Sequence, residues 1–267
     1  MTTTATIRGT TISYQDEGSG PLVIRAHGLT HSRRTDDEIG LIEWRRLVEA
    51  GFRVVSYDAR GHGLSEGAAE SDDYVWASLA DDLLALVDHL SPDEPVRAVG
   101  ISMGTATILT ALTIAPHRFA AVALGAPPTA WETRAGQAAV YEELARAAEV
   151  KTADELAALL ARMPGPPIFD GVQGWPGASA AQHALLPAIL RGAGRSDLPD
   201  PDALAALDVP ALILAWDTDP SHPVSTARRL ADLLPGAEMH LSEEAADVAT
   251  WPRRAADHFR AAGALIG

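Results

Sequence analysis

Ser102 lies in the run Gly100-Ile101-Ser102-Met103-Gly104, between a short β-branched segment (96–99) and an apolar stretch rich in alanine, threonine and leucine. A strand that turns sharply into a helix holds the turn residue in a strained backbone conformation, with its side chain thrown upward. A serine there is exposed to attack a carbonyl. The glycines two before and two after let strand and helix pass where a Cβ would clash. The helix N-terminus behind the serine offers unpaired N–H groups and the positive end of a dipole, suited to a developing oxyanion. The plainer reading is a tight strand–helix turn with Ser102 as helix cap.

A nucleophile needs a base, an acid to orient the base, and oxyanion donors, all placed by elements far apart in the chain. Alternation over 4–17 predicts two short strands turning at Arg8-Gly9-Thr10. Residues 21–26 predict a buried strand that exits into His27-Gly28-Leu29-Thr30, and 52–57 a central strand followed by Asp58-Ala59-Arg60-Gly61-His62-Gly63. Helical periodicity covers 42–50, closed by Gly51, and then Val75, Leu79, Leu83, Leu86, Val87 and Leu90 on one face. After a strand at 119–124 the character changes. Alanine-rich helical pieces (137–148 and 153–161) are broken by Met163-Pro164-Gly165-Pro166-Pro167, which predicts an inserted helical segment. Alternation resumes with a strand at 211–216, a helix at 225–234, a strand at 238–241 and a closing helix at 253–262. Strands alternating with helices imply an α/β architecture, a mainly parallel sheet covered on both faces.

The order of these signals resembles the α/β-hydrolase fold over nearly the whole chain, in the branch of esterases, lactonases and cofactor-free haloperoxidases. The resemblance implies a core of residues 1–127 and 202–267 with a helical cap at 128–201. It also implies Ser102 as nucleophile, with an oxyanion hole formed by the backbone N–H groups of Leu29 and Met103. His27 and His62 then brace their loops, and Arg60 ties its loop to neighbouring carbonyls. The acid carried over is Asp219, in Asp217-Thr218-Asp219-Pro220, with Asp217 as the backup. A plain helix-capping role for both stays open.

The chain departs from the pattern at the base. Where the resemblance expects a histidine, after the last strand, stands Asp247. An ordinary aspartate titrates near pH ~4, which makes it a poor base for a serine hydroxyl. Among nine histidines, His222 is the sharpest candidate, three residues past Asp219 on the acid loop. A triad is defined by geometry and role, so His222 could act as base with Asp247, Asp219 or Asp217 orienting it. His31, Trp131, Trp175 and His183 are candidate pocket residues together with His27. For the tryptophans, core packing is the competing reading.

The formal net charge of −15 argues against nucleic acid or anionic membranes as partners. Without cysteine there is neither a disulfide nor a thiolate metal site. No apolar run approaches the ~20 residues of a membrane span. The expectation is therefore a cytoplasmic enzyme acting on a small ester, thioester or lactone, with no metal and no organic cofactor. Its partner would be a small acyl substrate, with homodimer formation left open. A catalytically silent binding protein on the same scaffold, or non-hydrolytic chemistry in the same pocket, is the alternative.

Overall fold

The computed structural model describes residues 2–162 and 165–264. Eight strands form one sheet: β1 (Thr2–Ile7), β2 (Thr10–Glu17), β3 (Leu22–Ala26), β4 (Arg53–Tyr57), β5 (Val96–Ile101), β6 (Phe119–Gly125), β7 (Ala211–Trp216) and β8 (Glu238–Ser242). Their spatial order is β1-β2-β4-β3-β5-β6-β7-β8. The β1–β2 and β2–β4 pairings are antiparallel, and every pairing from β4 through β8 is parallel. The hairpin at Arg8-Gly9 forms where two left-handed residues permit it, with φ of 47° and 79°.

The helices are α1 (Arg33–Ile39), α2 (Arg46–Glu49), α3 (Trp76–Leu90), α4 (Met103–Ile114), α5 (Arg134–Val150), α6 (Ala153–Leu160), α7 (Leu186–Gly194), α8 (Pro201–Ala205), α9 (Val224–Leu233), α10 (Ala245–Val248) and α11 (Trp251–Ala264). On one sheet face α3, α4 and α9 bury Leu79, Leu83, Leu86, Leu109, Leu112 and Leu230 against Ile24, Val55 and Ile213. On the other, α2 and α11 bury Leu47, Trp251 and Phe259 against Val23, Val99 and Leu214. Each such leucine, fully removed from water, contributes roughly 2 kcal/mol. In α4, Thr107 and Thr110 hydroxyls donate to the carbonyls of Met103 and Ala106 at 2.8 and 2.9 Å, which lets a polar residue sit in a buried helix.

Between β6 and β7 the chain carries α5 to α8 and no strand among the described residues, only an isolated bridge between His62 and Ala181. Met163 and Pro164, in the expected break between cap helices, lie outside the described residues. The segment packs a cluster of its own, including Ala145, Leu156, Leu186 and Ile189, onto Tyr74 of the core. Two local expectations differ from the structure. The helix expected over 42–50 shrinks to α2, because Trp44 is turned into the core and its N–H closes a tight turn on Ile42 O. Helix α1 was hidden by a charged sequence without apolar periodicity. It is started by Ser32, whose hydroxyl accepts from Thr35 N–H.

Candidate active site

Ser102 joins β5 to α4 with φ 53° and ψ −110°, a left-handed setting that a non-glycine residue adopts only under constraint. The constraint is visible. Ser102 N–H donates to Gly125 O at 3.0 Å, and Thr105 Oγ1 donates to Gly125 O and Gly100 O at 2.6 and 3.0 Å. A Cβ on Gly104 would strike Ala26 O of β3, and one on Gly100 would strike the Gly104 backbone. Both elbow glycines are therefore required by close approach.

The acid loop follows β7. Asp219 is buried and accepts three hydrogen bonds: from His222 Nδ1 at 2.7 Å, Trp216 Nε1 at 2.9 Å and Ser221 N–H at 2.9 Å. Burial works against its ionisation, but the His222, Trp216 and Ser221 donors hold its carboxyl down at about 2. A carboxylate only accepts, so Nδ1 carries the imidazole proton and Nε2 presents a lone pair. Ser102 Oγ lies 2.7 Å from Nε2. Its hydroxyl therefore donates to His222. The loop is pinned from outside by Thr129 N–H on Ser221 O at 3.0 Å, and it closes on itself through His222 N–H to Asp219 O at 3.1 Å.

The structure does not bring Asp247 to this group. Its carboxylate accepts from His240 Nε2 at 2.6 Å, Ser242 Oγ at 2.8 Å and Arg254 at 3.2 Å. Those bonds fix it to β8 and α11, so His222 is oriented by Asp219 instead. Partial burial opposes the charge on Asp247, yet the same donors bring it to about 2. Asp217 turns onto its own loop, accepting from Thr218 N–H at 2.7 Å, and does not reach His222 either.

Gly28 approaches the elbow closely enough that a Cβ there would lie 3.8 Å from Ser102 Cβ. Met103, as the first residue of α4, has no intrahelical acceptor for its N–H. Among the described residues neither Leu29 nor Met103 N–H has a backbone acceptor. Both groups are free to meet a developing charge.

His27 was a pocket candidate but lies inside the protein. Its Nδ1 donates to Gly28 O at 2.8 Å and its Nε2 accepts from Ala59 N–H at 2.9 Å. Burial drives its pKa to about 4, so the ring is a neutral brace. His62, buried 5.1 Å from it centre to centre, is pushed by burial to about 3. Arg60 grips carboxylates rather than carbonyls, pairing with Asp82 and Asp73.

Trp131 and His183 also stand apart from the pocket. The Trp131 indole donates to Pro199 O at 3.1 Å beneath the Arg229 guanidinium, and His183 bonds Lys151 O at 3.0 Å. Trp175 and His31 do line a pocket of about 390 Å³, mouth included, together with Asp36, Ile42, Ile101 and Trp216. Ile101 adjoins Ser102 in the chain, and Trp216 meets the His222 ring edge-on at 5.4 Å. Sequence reasoning missed Trp216 as the second donor to Asp219. Its signal was a tryptophan ending an expected strand three residues before the acid.

A family model described as the alpha/beta hydrolase fold matches residues 21–161, more than half of the chain. The chain belongs to the α/β-hydrolase family. It is similar to a non-heme haloperoxidase of Rhodococcus erythropolis, 32% identical over 244 residues that cover 84% of each chain. An epoxide hydrolase of Caballeronia sordidicola is 30% identical over 141 residues, 51% of this chain and 39% of that one. Among solved structures, the enol-lactonase of Burkholderia xenovorans LB400 superposes with a TM-score of 0.76 at 22% identity, covering 99% of this chain and 100% of the other. A thermophilic esterase of Thermogutta terrifontis gives 0.70 at 22%, covering 98% and 97%. These two likenesses speak for the fold. No helix among the described residues is long and apolar enough to cross a membrane.

Proposed function

We propose that the protein is a serine hydrolase of small carboxylic esters, thioesters or lactones, with Ser102 as nucleophile, His222 as base and Asp219 as its orienting acid. The observation that carries this reading is the unbroken hydrogen-bond chain Asp219–His222–Ser102, 2.7 Å at both links. The Ser102 hydroxyl attacks the carbonyl carbon as His222 Nε2 takes its proton, and the N–H groups of Leu29 and Met103 receive the oxyanion. Collapse of the tetrahedral intermediate expels the leaving group, which takes the proton from His222. The same imidazole then deprotonates a water that hydrolyses the acyl-serine. Asp219 stays ionised and supports the imidazolium formed in each step.

The alternative of a silent binding scaffold rested on Asp247 in the histidine position, and a histidine offered by the acid loop removes its motive. The mechanism uses only side chains and backbone of this chain, and residues 128–201 act as a cap over the acyl pocket. The test is labelling by a fluorophosphonate probe together with turnover of short p-nitrophenyl esters. Both are expected for the native protein and absent in Ser102→Ala. A native protein that neither labels nor turns over any short acyl ester sinks the proposal.

A further inference from the structure

Strand β3 reads Leu22-Val23-Ile24-Arg25-Ala26, and all five residues are buried. An arginine inside a central parallel strand breaks the apolar pattern such strands need, and desolvating its charge is costly. Arg25 NH2 donates to Asp36 at 3.0 Å and NH1 to Asp37 at 2.9 Å. The other Asp36 oxygen accepts from His31 Nδ1 at 2.8 Å. Three polar groups thus run from β3 within the sheet to the wall of the pocket that Ile101, the chain neighbour of Ser102, also lines, and His31 and Asp36 both stand on that wall. Hydrolysis by Ser102, His222 and Asp219 uses none of them. Stability is a weak explanation for them, since apolar residues of similar volume often pack such a site equally well. Groups that break a local rule without a stability return mark functional positions.

The chemistry of the far end of the pocket follows from its partners. Burial opposes ionisation of Asp36, but the His31 hydrogen bond and the Arg25 charge hold its carboxyl below the usual range. Facing a carboxylate, His31 directs an Nδ1 proton at Asp36, and the singly protonated ring then presents an accepting lone pair at Nε2. Among the described residues Nε2 has no hydrogen-bond partner. The rest of the pocket is apolar, with Ile39, Leu41, Ile42 and Ile101 beside three tryptophans, of which Trp175 and Trp216 stand edge-on 6.1 Å apart at 86° and Trp175 lies 6.5 Å from His31 at 70°.

We propose that His31 determines specificity by accepting a hydrogen bond from a hydroxyl on the substrate's acyl group, so that the preferred substrates are esters or lactones of small hydroxyaryl acids. This rests on the hydrolase reading of the same site. The His31 side chain keeps 21% exposure, so water satisfies Nε2 when the hydroxyl is missing. The discrimination is then about tenfold, as for one net hydrogen bond, far from that of a sealed polar site.

The probes are p-nitrophenyl 4-hydroxyphenylacetate and p-nitrophenyl phenylacetate. The native protein is expected to favour the hydroxylated ester about tenfold in kcat/KM, and His31→Phe and Asp36→Asn each to bring the ratio within about twofold of one. A native ratio near one, or a ratio that survives both substitutions, overturns the proposal. So does preference for the 4-carboxy analogue over the hydroxyl, which makes Nε2 a donor. Affinity of the same pair for Ser102→Ala, measured by calorimetry, needs no turnover. A tenfold difference there without native turnover refutes the hydrolase reading and keeps the site; native turnover of both esters at equal rates refutes the site and keeps the hydrolase.

Discussion

Asp219→Asn separates the two carboxylates that could orient His222. Asp219 Oδ2 faces two donors, His222 Nδ1 at 2.7 Å and Trp216 Nε1 at 2.9 Å, while Oδ1 faces only Ser221 N–H at 2.9 Å. The Trp216 indole N–H and the Ser221 backbone N–H are both fixed donors, so either orientation of an amide leaves its NH₂ facing one of them. Whichever orientation the amide takes, the negative charge beside the imidazolium is lost. At about 4 Å and an effective dielectric of ~20, that charge is worth about 4 kcal/mol, or roughly a thousandfold in kcat. KM stays within about threefold, since the acid touches no substrate. Asp247→Asn, whose partners are His240, Ser242 and Arg254, costs less than about tenfold in kcat. The assay is p-nitrophenyl ester turnover at pH 8 on purified variants with matched circular dichroism. An Asp247→Asn loss as large as that of Asp219→Asn would refute the assignment, and so would an Asp219→Asn loss below tenfold.

Gly104→Ala drives a methyl into Ala26 O, so soluble yield collapses or stability falls by about 3 kcal/mol or more in urea titration; unchanged stability contradicts the packing account. His27 and His62 have folded-state values near 4 and 3, below the unfolded ~6.5. The unfolded chain therefore binds protons that the native state refuses, and stability falls as pH drops from about 6.5 to about 4, by on the order of 3 kcal/mol from His27 alone. The depressed carboxylates Asp219 and Asp247 respond only below about pH 4. A urea midpoint that stays flat between pH 7 and 4.5 counts against neutral buried rings. Trp175→Ala should raise KM for aryl esters about tenfold, whereas Trp131→Ala should lower the melting temperature and leave relative acyl preference alone. The reverse pattern would return Trp131 to the pocket.

The sheet was readable because its strands are short apolar runs bounded by glycine, proline and charged turns, and because the elbow at Gly100 to Gly104 ties one strand to one helix. The Asp219–His222 pairing was half legible. Residue types and spacing singled out His222, while the choice of its carboxylate depended on which side chains Asp247 meets across β8 and α11. That is tertiary information, and a sequence cannot display it. The pocket was harder still. Trp131 and Trp175 look alike in the sequence, and only packing sends one against Arg229 and the other against Phe169 and Trp216. Arg25 was read only as part of the apolar run over 21–26, and its pairing needed Asp36, which lies in the helix that periodicity could not show.

Asp219 and His222 sit one turn apart on a single loop, closed by one backbone hydrogen bond, with Pro220 between them and Pro223 directly after. The geometry of the proton-transfer pair is thus a local property of four residues, with almost no contact order. It needs no residue from the chain beyond Ser242 to face the imidazole, although Trp216, which holds Asp219, is itself stacked on Trp251. Insertions in the loop beyond β8 leave the pair's own sequence untouched, whereas β8 itself holds the start of the acid loop through Asp217 N–H on Ser242 O. The same locality makes Asp-Pro-Ser-His-Pro a portable unit: grafted after the corresponding strand of a relative, it would bring base and acid together in one step.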